Sequence, residues 1–427
     1  MHELNAFDAA AILIVLAAGL GYLNYRVLKL PSTVGLTVMG TLASLLVIVY
    51  DHIVPSSTLS ETLGGFLTDI DFSTTLMEGM LSFLLFAGAM HVDWSHMRKG
   101  AWPILFFSTI GVMISTAIVG FAFHYLTLLV GAPVPLVWCL VFGALISPTD
   151  PVAVMAVMKR AAMPDTLQAT VAGESLFNDG VGVVVFGILI SIAVGAEEFS
   201  LAHAAADFGR EAIGGAVLGL VAGWIAFKAM HSIDEYNIEA MISLATVMGG
   251  YSLALALHVS GPVAMAVAGL MIGNAGVAHA MSDTTRDYVI KFWALIDEIL
   301  NAVLFLLIGL EVIALAFEAR YVAAGIGAIL IVLAARAISV GVPLKAMKRM
   351  IDMGPLAFPT LLWGGLRGGI SIALALSLPD SEIRTELLVA TYFVVLFAVV
   401  VQGGSIGWLI ARIKARNELD SPGGIEP

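Results

Sequence analysis

"ISPTDPVAV", residues 146 to 154, sets two prolines, a serine, a threonine and an aspartate into the middle of an apolar run. Pro148 and Pro151 have no backbone N–H to donate and crowd the preceding turn, so no continuous helix passes through them. Asp150 followed by Pro151 has the pattern of an N-cap with proline at the first helical position. The stretch therefore predicts two half-helices meeting at Asp150. That carboxylate would face the positive end of the second half-helix, and freed carbonyls around Ser147 and Thr149 would become cation ligands. A proline kink in an ordinary bundle helix is the plainer alternative, but a kink needs no aspartate at its centre.

The composition says what surrounds this break. Hydrophobic residues make up 59% of the 427 and charged ones 12%, about half the share of a soluble domain, which is too little to cover a globular surface. The chain reads as an all-α polytopic membrane protein. Its net charge of -12 implies no nucleic-acid partner, because most of the acid falls in segments assigned to the outer side. The one cysteine, Cys139, excludes an intramolecular disulfide framework and a multi-cysteine metal site. "MHELNAFDAA" lacks the basic start of a signal peptide, and "NYRVLK" follows the first apolar run where a cleavage site would stand. That run is read as the first span.

Apolar runs of about 20 residues, the length that crosses ~30 Å of hydrocarbon, lie near 6 to 28, 31 to 50, 72 to 90, 101 to 124, 136 to 158, 167 to 193, 209 to 229, 239 to 257, 259 to 277, 289 to 313, 321 to 341, 355 to 378 and 387 to 411. About thirteen transmembrane helices are expected, with "HVSGP" dividing the eighth from the ninth. With the N-terminus outside, fifteen of the 20 Lys and Arg fall in inner segments, and only Arg210, Arg320 and Arg384 in outer ones. One missed or invented span would scramble that bias, so the topology expected is N-terminus outside and C-terminus cytoplasmic. Residues 1 to 427 are expected to form one membrane domain, all transport domain or all membrane enzyme, ending in a short cytoplasmic tail, 412 to 427. Gly215, Gly219 and Gly223, spaced by four in the seventh span, fit close internal helix packing.

A charge at bilayer depth costs at least ~2.5 kcal/mol on insertion scales and is by default a functional-site candidate. Glu78, Asp150, Glu174, Asp179, Asp297, Glu298, Glu311, Arg336 and Arg367 qualify. Glu78, Glu298 and Glu311 have plain readings at water-reaching faces or ends. In the sixth span, "GESLFNDGVGVVVFGILI" (173 to 190), Asp179 lies roughly 18 Å deep at 1.5 Å per residue. Ser175 and Asp179 share one helix face; Glu174 and Asn178 share its neighbour. A lone buried carboxylate takes up a proton, whereas one flanked by Ser and Asn oxygens can hold a dehydrated cation instead. Proton and cation then compete for one place.

The twelfth span carries "WGGLRGGIS" (363 to 371), four glycines including Gly365 and Gly368 around Arg367. It is a second breakable helix, seven spans after the first. Helices an odd number of crossings apart run in opposite directions, so the pair is the sign of an inverted repeat with its site between two crossing broken helices. Arg336, in "LAARAISV", keeps its proton and needs a buried acid, for which Glu174 is assigned. Asp179 is then left free to titrate.

Taken together, "ISPTDPVAV", "GESLFNDGVGVVVF", "LNAVLFLLIGLE" (300 to 311), "AARAISV" and "WGGLRGGISIALALSLP" (363 to 379) resemble the NhaP/NHE-type monovalent cation:proton antiporters. The match runs in order from the third span to the twelfth. The resemblance implies a thirteen-helix NhaA/NhaP-like fold with core and interface subdomains, a homodimer, alternating access, a bacterial or archaeal cytoplasmic (inner) membrane, and a part in pH homeostasis. It implies that Asp179 exchanges H+ for Na+ and that Ser175 and Thr149 help to ligate the Na+. Asn178 and Asp150 would brace the broken helices, Pro148, Pro151, Gly365, Arg367 and Gly368 would support the breaks, and Glu174 with Arg336 would form a structural salt bridge. The Asn-Asp pair, with no lysine deep in the tenth span, is similar to the electroneutral branch, one Na+ (or Li+) per H+. No cofactor is implied. One departure is that many relatives carry an acid after "LLF" of the third span, where this chain has Ala87; the nearest acid is Glu78, carried as a further ion-site candidate.

Other classes fit less well. An intramembrane protease would need GxGD, GxSG or HExxH, and the chain has none of them. A passive channel needs a continuous pore but no titratable group in the path, so Asp179 favours an exchanger. Potassium in place of sodium stays open, since oxygen ligands satisfy both ions.

Overall fold

The computed structural model describes residues 6–54, 59–60, 63–65, 80–195, 201–277, 280–314, 318–347, 354 and 356–420. Helix is the regular structure among them, apart from a single antiparallel backbone bridge between Asp150 and Leu366. Each apolar run read as a span carries helix in its described part. Eight described helices are long and apolar enough to cross a membrane, and Leu81–Met90, Leu136–Ile146 and Gly261–Gly276 are shorter apolar ones. Most of the third span's first half, Glu78 included, lies outside the described residues.

The break between the eighth and ninth spans is real. Tyr236–Ala256 ends and Gly261–Met271 begins across a turn in which His258 takes a left-handed φ of 53°. Ser260 caps the new helix by accepting the Val263 N–H, and Pro262 occupies its first turn. Elsewhere helices outrun the apolar patterns. The seventh is Leu201–His231 rather than starting near 209, because the polar but alanine-rich "LAHAAADFGREA" is a good helix former outside the apolar window. The tenth, Asp283–Leu310, starts early under a Ser282 cap on the Thr285 N–H.

Packing follows the logic of lipid, where apolar surface gives little drive to helix association and close backbone approach replaces it. The glycines of the seventh helix face the ninth: Gly215 lies on the Ser260 carbonyl, Gly219 on the Ala264 backbone and Gly223 on Met271. The stripe is an internal seam. A Cβ at Gly219 would stand 3.0 Å from the backbone Cα and carbonyl carbon of Ala264, neither of which can rotate away. Gly219→Val is therefore expected to destabilise by about 1–3 kcal/mol through overpacking, read as a lower melting temperature in detergent.

Two spans are interrupted. Leu136–Ile146 gives way to Val152–Arg160, and Ala357–Trp363 to Gly369–Leu376. The unwound stretches between them meet where the Asp150 N–H donates to the Leu366 carbonyl at 2.9 Å. The sixth helix, Asp165–Ala193, runs beside both breaks and packs against Leu136–Ile146, with its central residues buried. The crossing, flanked by this helix, is what positions the candidate site.

Candidate ion site

An unwound backbone in a membrane protein must find partners for its polar groups, and here Arg367 supplies two of them. Its buried guanidinium donates to the carbonyls of Ser147 at 2.7 Å and Pro148 at 3.0 Å. This corrects one expectation from the sequence: the Ser147 carbonyl is not free to bind a cation, because an arginine from the other broken helix holds it. The Ser147 hydroxyl is turned away as well, donating to the Gly143 carbonyl and lying 2.9 Å from the Ser115 hydroxyl. The Thr149 carbonyl accepts no backbone hydrogen bond among the described residues. Asp150 is not the N-cap that the sequence pattern suggests: Pro151 holds that position without a side-chain cap bond, and Asp150 closes a turn just ahead of the helix. The helix starts at Val152, with Pro151 before it, and the Val152 N–H donates to the Asp150 carboxylate at 2.9 Å. Gly368 is needed beside it, since a Cβ there would stand 2.8 Å from the Asp150 Cβ.

The two polar faces of the sixth helix have different neighbours. On one, Glu174 and Arg336 form a bidentate ion pair, the second contact 3.1 Å long, and Arg336 Nε donates to the Leu361 carbonyl at 3.1 Å. Gly365 makes room for that guanidinium, for a Cβ there would lie 3.0 Å from Arg336 Cζ. On the same face Asn178 grips the break: its Oδ1 accepts the Thr149 N–H at 3.2 Å and its Nδ2 donates to Thr149 Oγ1 at 2.8 Å. Thr149 Oγ1 lies 3.0 Å from Ser175 Oγ. The other face, Ser175 and Asp179, opens into a cavity of about 800 Å³. Asp179 is 8% exposed, and its carboxylate accepts no hydrogen bond among the described residues.

The cavity also reaches Pro148, Thr149, Asp150 and Gly368, so the structure brings together every described member of the ion-binding set except Asn178, which stands behind Thr149. It adds residues that the sequence reading left out of the site. Asp297 and Asn301, one turn apart on the tenth helix and joined by a 3.1 Å hydrogen bond, line the wall with Glu298. Asp297 and Glu298 were visible as deep acids, but which way the tenth helix turns them is fixed only by packing. The exposed end is formed by Asp93, His96, Lys159 and Asp165. There Asp93 caps a short helix, and its carboxyl is held down at about 2 by the Ser95 hydroxyl and amide. It therefore stays ionised across the physiological range. His96 stands 3.2 Å from it and 3.9 Å from Asp165.

Two interrupted helices crossing beside a buried carboxylate that has no hydrogen-bond partner among the described residues, and that opens on an acidic cavity, define the class of ion-coupled secondary transporters. Residues 12–412 match the family model described as sodium/hydrogen exchanger, transmembrane. The chain is 46% identical over 423 residues to the Na+/H+ antiporter NhaP of Pseudomonas aeruginosa, covering 98% of this chain and 99% of that one. It is 31% identical over 408 residues to the Na+/H+ antiporter NhaH of Halobacillus dabanensis, covering 94% and 97%. Its fold matches the sodium proton antiporter MjNhaP1 from Methanocaldococcus jannaschii with a TM-score of 0.75 at 20% identity, over 94% of this chain and 100% of that one. The chain belongs to the sodium/hydrogen exchanger family, a family of transporters and not of enzymes.

Proposed function

We propose that this protein exchanges Na+ (or Li+) for H+ across the membrane, one for one, with both ions competing for Asp179. The observation that carries the reading is the Asp179 carboxylate: buried, without a hydrogen-bond partner among the described residues, and opening on the cavity beside Ser175 and Thr149. A carboxylate so placed must take either a proton or a cation. Ser175 and the free Thr149 carbonyl supply further oxygens for the Na+. Asn178 and Asp150 hold the broken segment in place, Arg367 and Gly368 join it to the second one, and Glu174 with Arg336 fixes the sixth helix to the eleventh. Relatives named Na+/H+ antiporters support sodium as the cation; K+ exchange by the same site is the alternative.

The whole chain acts as one transport domain with interleaved core and interface parts, working by alternating access as a homodimer in a bacterial or archaeal cytoplasmic membrane. The cation bias of its loops supports an outer N-terminus and an inner C-terminus.

The test is a pH-gradient assay in proteoliposomes with Na+, K+ and Li+ in turn, with and without an ionophore that clamps the voltage. Collapse of the gradient by Na+ at a rate the clamp does not change is expected. A response to K+ alone would replace the cation, and a clamp-dependent rate would overturn the one-for-one ratio. In the same vesicles apparent Na+ affinity should weaken as pH falls, by up to about tenfold per unit once the site is mostly protonated. An affinity indifferent to pH would contradict a shared site.

A further inference from the structure

One buried hydroxyl in the cavity is left over by this reading. Ser371, in the first turn of the second interrupted helix, is 1% exposed, lines the same cavity as Asp179, Ser175 and Thr149, and has no hydrogen-bond partner among the described residues. A serine inside a helix normally donates to the carbonyl three or four residues back. Ser377 does so to Leu374, and Thr391 in the next span to Leu387. For Ser371 those positions are Gly368 and Arg367, which lie in the unwound stretch before Gly369, where no helical carbonyl is aligned to accept. The break in the helix thus leaves the Ser371 hydroxyl without its ordinary acceptor.

We infer that the Ser371 hydroxyl is a further ligand of the transported cation, supplied by the second interrupted helix. The inference rests on the exchange reading at Asp179. The other oxygens assigned to the ion, from Thr149, Ser175 and Asp179, all come from the first broken helix and the sixth span. A hard monovalent cation takes hydroxyl and carbonyl oxygens readily, and a hydroxyl whose lone pairs and proton are otherwise unused loses nothing by turning them. With Ser371 in its shell the ion touches both interrupted helices, so its binding is felt by both halves of the repeat.

Thermal unfolding of the purified full chain, titrated with NaCl against choline chloride at constant ionic strength, tests this. The unaltered protein is stabilised by Na+, and Asp179→Asn loses that effect. Ser371→Ala, without Na+, melts at or above the unaltered protein, because it removes a buried polar group that has no partner. Its half-maximal Na+ concentration rises about three- to tenfold, the size of one lost hydrogen-bond-strength contact. Ser371→Gly removes the hydroxyl by a second route and gives the same shift in the Na+ curve, although as a helix-weakening residue it lowers the melting temperature without Na+ by itself, so only Ser371→Ala is read for that baseline. An unchanged Na+ curve in both variants, or a fall in the melting temperature of Ser371→Ala without Na+ that shows the hydroxyl already has a structural partner, overturns the Ser371 role alone. No Na+ effect on the unaltered protein, together with no exchange in vesicles, removes the Asp179 reading and the Ser371 role with it.

Discussion

Asp179→Asn is expected to reduce Na+-driven proton movement to that of protein-free vesicles while the protein still purifies as a folded species. The amide keeps the size of the carboxylate but carries no charge and does not titrate, so both half-reactions are lost together. Stability should not suffer. The carboxylate accepts no hydrogen bond among the described residues, and a neutral amide is less costly than an ionised acid at bilayer depth. Fluorescence from a pH-sensitive dye inside the vesicles, alongside size-exclusion profiles, separates loss of exchange from loss of fold. A folded Asp179→Asn protein that still exchanges would remove this residue from the centre of the mechanism.

The largest effect on stability is expected at the Glu174–Arg336 pair. Both side chains are buried, at 1% and 9% exposure, and the contact is two-pronged. Removing one partner strands the other's charge in a low-dielectric interior, which costs about 3–5 kcal/mol, whereas removing both leaves no stranded charge. Glu174→Gln and Arg336→Ala should each melt well below the unaltered protein, and the double variant should lie above the sum of the single losses. Strict additivity in that cycle would mean the pairing carries no coupling. The damage is not confined to one contact, since Arg336 also bonds the Leu361 carbonyl in the twelfth span and so ties three spans together.

What the sequence made legible was depth and interruption. Prolines at 148 and 151, and glycines around Arg367, located both breaks, and the spacing of 174, 175, 178 and 179 sorted their side chains onto two faces. Arg336, one of the two arginines placed inside the spans, pointed to Glu174 by charge alone, and the structure joins them. What stayed hidden was azimuth, the direction each helix faces once packed. Hence the reading took the Ser147 carbonyl as free when Arg367 occupies it, and left Asp297, Asn301 and Ser371 out of the cavity they line. Ser371 had a usable signal: a serine three residues past a glycine-rich break has no helix behind it to bond. Glu78 lies outside the described residues, and its part in the site stays a proposal.

The bond from Asp150 to Leu366 and the grip of Arg367 on two carbonyls opposite have a mechanical result. Three hydrogen bonds rivet the two chain crossings at their common point, so neither can swivel there without stripping the other's backbone of its partners. The joint is a weld and not a hinge, and under the exchange reading proposed above the two segments would have to move, if they move, as one piece.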